Sequence, residues 1–286
     1  MTAPGLEETE PPRAPAPADA GSGPVPGTGP KRPRPPRSAR RRRIGLRRLT
    51  VLPAVLAVIL LATRWWFRRA DLDTVSRNAL SGGQVSKALW QHVELTVLSA
   101  FFVLVIAIPL GVLLTRAPFR RATPVVMAVA NTGQATPAIG LLALLVIWLG
   151  TGMRAALIGI TAYALLPVLS NTVTGLRATD PALLEAARGI GMSAPGVLAR
   201  VELPLAVPLI LAGVRTALVL GVGTATLAAF GGGGGLGVLI TAGITNQRMP
   251  VLVLGSLLTV VLALLVDWLA SLAELLLRPR GLEPEA

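Results

Sequence analysis

The chain has no cysteine, one histidine, one tyrosine and only 14% charged residues among its 286 positions. Each shortage excludes a chemistry. Without cysteine there is no disulfide, no thiolate nucleophile and no zinc–thiolate centre. His92 alone cannot build a histidine-rich metal site, nor a nucleophile–base–acid triad at any conventional spacing. Soluble domains carry roughly 25% charged residues, whereas here the hydrophobic share is 52% and the mean hydropathy is +0.66. A water-soluble globule cannot hide that much apolar side chain behind so little charge. A disordered chain, a disulfide scaffold and an ordinary cytosolic enzyme are therefore excluded.

The charge that is present is positive, +13 net, and unevenly placed. Residues 1–50 hold 11 of the 27 basic residues but only 4 of the 14 acids. The remaining arginines flank apolar runs, which is the pattern of membrane topology and not of nucleic-acid binding. Residues 1–48 also hold 11 of the 24 prolines. They read as a disordered tail that cannot bury enough surface to offset its own ordering entropy. The arginines at 40–43, with Arg47 and Arg48, suit a cytoplasmic anchor against anionic membrane lipid. No nucleic-acid partner is expected.

Apolar runs follow at about 49–67, 93–115, 124–149, 155–176, 204–229 and 251–277. Each approaches the ~20 residues a helix needs to cross ~30 Å of hydrocarbon. In lipid every backbone polar group must be satisfied internally, so helices are the default. The alternating ten-residue segments of a barrel are not seen. The fold class is therefore all-α integral membrane, with about six transmembrane helices. The first run, 49–68, reads as a retained anchor with Trp65 and Trp66 at the interface. With the tail inside, basic residues total 19 on the inner connections and 6 on the outer ones. This predicts a multi-pass cell-membrane protein with a cytoplasmic N-terminus.

Polar groups in apolar helices are costly and usually face a cavity or another helix. Asn131, Gln134, Thr136 and Pro137 in the third run, and Tyr163 and Asn171 in the fourth, are translocation-path candidates. They equally suit hydrogen bonds between neighbouring helices. The third run is interrupted at Gly133 and Pro137, and broken helices are tolerated only where protein or water satisfies the freed backbone. Arg215 and Asp267 are the deepest charges, ~16 Å and ~15 Å from the inner end at ~1.5 Å per residue. Equal depth predicts an interhelical ion pair, because an unpaired charge there is expensive. Gly232, Gly234 and Gly237 satisfy G-x-G-x-x-G, but neither a βαβ unit nor a phosphate-loop lysine accompanies them. They read as a flexible turn and close helix packing on the outer side. His92 is expected at the interface.

The connection 177–203 is the longest inner loop, reading RATDPALLEAARGIGMSAPGVLARVEL. Asp180 is placed to cap a helix and Pro181 to open it. Leu183, Leu184, Ala187 and Ile190 recur at helical spacing. Gly189 and Gly191 end the helix, a second short segment runs from Ala194 to Val201, and Pro204 opens the next span. A surface hairpin of this kind is either an unpartnered amphipathic element or a docking site for a cytoplasmic protein.

The stretch EAARGIGMSAPGVLARVELPLAVPLILAGVRTA resembles the EAA loop of permease subunits of bacterial ABC importers, matching at Glu185, Ala186, Ala187, Gly191, Leu203 and Pro204. LWQHVELTVLSAFFVLVIAIPLGVLLTR, NTGQATPAIGLLALLVIWLGTG, YALLPVLSNTVTGLRATDP and TATLAAFGGGGGLGVLITAGI resemble the osmoprotectant permeases of that group. The likeness covers roughly 85–280. It implies a type I ABC importer transmembrane domain with a cytoplasmic coupling helix seated in an ABC ATPase dimer. It further implies that ATP and Mg are bound by that partner, with no cofactor, metal or catalytic residue in this chain. The other implied partners are a second permease subunit, identical or paralogous, and an extracellular substrate-binding protein. The implied cargo is glycine betaine, carnitine or choline. The glycine run 231–235 departs from the family, which carries fewer glycines there. The alternatives are a permease for another small solute, such as an amino acid, and an ion-coupled carrier. The carrier needs mid-membrane carboxylates, and only Asp267 qualifies.

Overall fold

The computed structural model describes residues 46–69, 73–80 and 83–277. The tail expected over 1–48 lies outside the described residues except for its last three positions, which already belong to the first helix. Every regular element among the described residues is helical. They are α1 (Leu46–Arg69), α2 (Thr74–Leu80), α3 (Gln84–Thr115), α4 (Thr123–Ala135), α5 (Ala138–Leu149), α6 (Met153–Arg177), α7 (Pro181–Gly189), α8 (Ala194–Val197), α9 (Leu203–Ala225), α10 (Gly237–Thr245) and α11 (Met249–Leu277).

Five continuous helical stretches are long and apolar enough to cross a membrane, and a bent pair brings the number to as many as six. The pair is α4 and α5, whose axes turn by 98°, so the third apolar run is broken near Pro137, where its sequence is interrupted. Proline explains the break. Pro137 has no N–H to continue the ladder, and it forces Thr136 into an extended conformation with ψ 135°. A departure from expectation lies in the loop after α7. The short arm of the hairpin does not stop before the next span. α8 runs through a π-turn at Leu198–Glu202 directly into α9. Pro204 cannot bond to the carbonyl one turn back, and its ring crowds that carbonyl, so the turn widens there.

The core forms around α6, the most buried of the spanning helices. Val103, Ala107 and Leu114 of α3 meet Ala164, Val168, Leu169 and Val173 of α6 and Ala217 of α9. Small residues let the backbones approach, as in other membrane bundles. A β-carbon on Gly213 of α9 would lie 2.7 Å from the Pro167 carbonyl of α6, and one on Gly111 of α3 would lie 2.7 Å from Thr172. The outside is as apolar as the inside. Val97, Phe101 and Val105, four residues apart on α3, are all exposed. Such a stripe is stable in hydrocarbon, not in water.

Candidate functional site

At one end of the bundle α7 projects as a short, heavily capped helix. The Ala182 N–H donates to Asp180 Oδ1 at 2.9 Å, and Pro181 occupies the first turn. At its other end Gly191 takes φ 87°. The Gly191 N–H donates to the Arg188 carbonyl at 2.9 Å and the Met192 N–H to the Ala187 carbonyl at 3.2 Å. That pair of bonds closes a helix only when a left-handed residue follows it, which accounts physically for glycine at 191. Ala187 is the buried residue of α7, while Glu185 and Ala186 are exposed. Ser193 caps the next turn through the Gly196 N–H at 3.3 Å. Leu203 and Pro204 are half-buried at the start of α9. α7 is thus a rigid exposed element, tied through α8 and the π-turn to a spanning helix.

A buried carboxylate anchors this region. Glu202, 4% exposed, receives hydrogen bonds from both terminal nitrogens of Arg116 at the end of α3, one of them at 3.1 Å. Two-pronged guanidinium–carboxylate pairs fix orientation as well as charge. Sequence reasoning passed over Glu202. The available signal was an acid at the mouth of one apolar run and an arginine at the mouth of another. Arg177 closes the same corner, donating to the Thr123 hydroxyl at 3.1 Å, and Thr123 in turn donates to the Leu114 carbonyl at 2.8 Å.

Deeper in the bundle, Arg215 of α9 meets Asp267 of α11 at 2.6 Å, with Glu274 at 3.9 Å. Asn171 donates to the Pro167 carbonyl in its own helix at 2.8 Å, and its β-carbon packs over Gly213. Its amide is used within α6. Tyr163 is half-buried and lines a small crevice with Ala138, Leu142 and Thr224. Asn131, Gln134, Thr136 and Pro137 gather at the α4–α5 bend. Asn131 and Pro137 are exposed and the other two half-buried. Asn171 faces α9.

At the opposite end of the bundle, His92 is not interfacial as expected but wholly buried. Its Nδ1 accepts from the Leu236 N–H at 3.2 Å, so its Nε2 carries the proton and donates to the Val222 carbonyl at 3.0 Å. One ring joins α3, α9 and the segment leading into α10. The glycine run makes the close packing expected of it. Gly232, Gly234 and Gly235 hold φ between 74° and 83°. A β-carbon on Gly233 would lie 2.7 Å from Ala156, and one on Gly234 would lie 2.6 Å from Gln91. The run is a tight plug that only glycine fits.

No group of three or more metal-ligating side chains occurs among the described residues. Residues 107–278 match the family described as binding-protein-dependent transport system inner membrane component. The chain is 35% identical to the choline transport system permease protein OpuBB of Bacillus subtilis over 203 residues, 71% of this chain and 93% of that one. It is 38% identical to the carnitine transport permease protein OpuCD of Listeria monocytogenes over 70% of this chain and 89% of that one. It is 37% identical to the osmoprotectant import permease protein OsmW of Salmonella typhimurium over 74% of this chain and all of that one. Among solved structures it shares its fold with the inward-facing MetNI methionine ABC transporter, with a TM-score of 0.61 and 24% identity over 68% of this chain and 96% of that one. The apolar helices fit a multi-pass membrane permease, and the chain belongs to the binding-protein-dependent transport system inner membrane components.

Proposed function

We propose that this chain is the membrane-spanning subunit of an ATP-driven importer that moves a quaternary-amine osmoprotectant, namely glycine betaine, carnitine or choline, by alternating access. The capped, exposed α7, connected to α9 through α8 and the π-turn, is the observation that carries the reading. On it Asp180, Glu185, Ala186, Ala187 and Gly191, with Leu203 and Pro204 at the start of α9, form the docking element for a cytoplasmic ATPase dimer. ATP and Mg are bound there, and this chain does no hydrolysis. A lever needs stiffness, and α7 has both ends closed by hydrogen bonds. The names of the relatives supply the cargo class.

Residues 85–280 form the transport domain, 49–68 an anchor and 1–48 a cytoplasmic tail, so the N-terminus and α7 share the cytoplasmic side. A second permease subunit covers the polar group at the α4–α5 bend, where Asn131, Gln134, Thr136 and Pro137 line the path. Tyr163 and Asn171 are further path candidates. An extracellular binding protein selects the cargo. A quaternary ammonium is commonly held by aromatic faces, and the chain has only 11 Trp, Tyr and Phe residues in all. The ion-coupled alternative needs a free mid-membrane carboxylate, whereas Asp267 is engaged by Arg215.

The test is uptake into vesicles holding the permease with its ATPase and binding protein, using labelled glycine betaine, carnitine, choline and methionine. ATP-dependent uptake of a quaternary amine supports the reading. Uptake with no ATPase present, or of methionine alone, overturns it.

A further inference from the structure

Two adjoining crevices open between α7 and the ends of α3 and α6. One, of about 310 Å³, is walled by Arg116, Arg120, Arg177, Arg188, Thr179 and Glu202. The other, of about 720 Å³, shares Arg116, Arg120 and Arg188 and adds Arg121. Five arginines and a single carboxylate therefore face one hollow. Glu202 is already matched, since Arg116 takes both its oxygens. Arg120, Arg121, Arg177 and Arg188 form no ion pair with any described residue. Thr179 adds a second, independent observation. It is 8% exposed and lines the smaller crevice, and its hydroxyl has no hydrogen-bond partner.

Like charges around a concavity repel one another, although Arg120, Arg121, Arg177 and Arg188 are exposed and solvent softens the repulsion. A buried hydroxyl without a partner adds its own desolvation cost. Both costs vanish when an anion with several acceptor oxygens enters. We propose that this cleft is a phosphate-binding site, separate from cargo transport. Planar guanidinium forks engage phosphate oxygens two at a time, and the Thr179 hydroxyl donates from the wall. The phosphate has two sources. The cleft lies at the ends of two spanning helices, where lipid headgroups lie, and it is open to soluble phosphate from the aqueous side. A phosphate held between Arg120, after α3, and Arg188, on α7, braces α7 against the bundle. Occupancy would thereby set how stiffly α7 is mounted.

The full chain in phosphatidylcholine nanodiscs is titrated with inorganic phosphate, and with chloride at matched ionic strength. A parallel series contains phosphatidylglycerol. The readouts are thermal unfolding and lipids retained in native mass spectrometry. Saturable stabilisation by phosphate supports a soluble source. Stabilisation and retention by phosphatidylglycerol alone support a headgroup source. In either case Arg120→Gln with Arg188→Gln weakens apparent affinity about tenfold or more. If that pair folds poorly, Thr179→Val serves in its place, with an expected loss of about three- to tenfold. No saturable effect of either phosphate source overturns the site, as does an equal effect in the variants. That outcome includes the case in which these arginines meet only an acidic protein face.

Discussion

Arg215 on α9 clasps Asp267 on α11 through two hydrogen bonds, Nε to Oδ1 at 2.6 Å and Nη2 to Oδ2 at 2.8 Å. The two residues lie 52 positions apart, and α9 begins on the side where α11 ends, which brings them to equal depth. Each charge makes the other tolerable in an apolar surround, and Glu274 at 3.9 Å adds a weaker second counter-charge.

Asp267→Ala therefore leaves the guanidinium with Glu274 alone and destabilises the protein by about 1–3 kcal/mol. Exchanging the partners, Arg215→Asp with Asp267→Arg, restores part of that loss. Thermal unfolding of the purified variants measures both. An exchange no better than the worse single change contradicts the pairing.

The glycine plug makes a sharp contrast testable. A β-carbon at Gly237 would sit 1.9 Å from the Thr226 carbonyl oxygen, whereas one at Gly140 meets nothing within 4 Å. Gly237→Ala should cost about 1–3 kcal/mol through forced backbone movement. Gly140→Ala, inside α5, should be neutral or stabilising by up to ~1 kcal/mol. The readout is the unfolding temperature, and a matched response from the two would refute the close approach.

The single histidine simplifies a third measurement. The Leu236 N–H occupies Nδ1 and the Val222 carbonyl occupies Nε2. One ¹⁵N imidazole pattern is expected, that of the neutral ring protonated at Nε2. A ring protonated at Nδ1, or a mixture of tautomers, would mean that the staple between α3, α9 and Leu236 is not formed.

Asp180 tests the lever. Asp180→Ala removes the acceptor for the Ala182 N–H and should cost about 1 kcal/mol locally, whereas Asp180→Asn keeps an acceptor and loses little. On the proposed function, the alanine variant lowers transport per ATP hydrolysed and the asparagine variant is close to the parent. Equal coupling in the two would separate α7 capping from transport.

The all-helical class and the six apolar runs were legible because hydrophobic length and the lack of charge act locally. The α7 cap was legible for the same reason, since Asp180, Pro181 and Gly191 are short-range signals. The depth of Arg215 and Asp267 could be counted along straight helices. Contacts made across the bundle were not legible. Arg116 and Glu202 are 86 residues apart, and nothing periodic links them. His92 and the glycine plug meet only once α3, α9 and α10 are packed, so His92 read as interfacial, and the close packing of the glycines could be expected without its partners being named. The 98° turn at Pro137 was visible only as an interruption, because proline marks a break and not its angle.

The docking role of α7 is the central claim, and the absence of cysteine from the chain makes its test clean. Ala186→Cys places a lone thiol on the exposed face of α7. A membrane-impermeant maleimide should label it in inside-out vesicles and not in intact cells, and labelling should fall sharply when the ATPase is bound. Labelling from the external face, or labelling indifferent to the ATPase, would contradict the account.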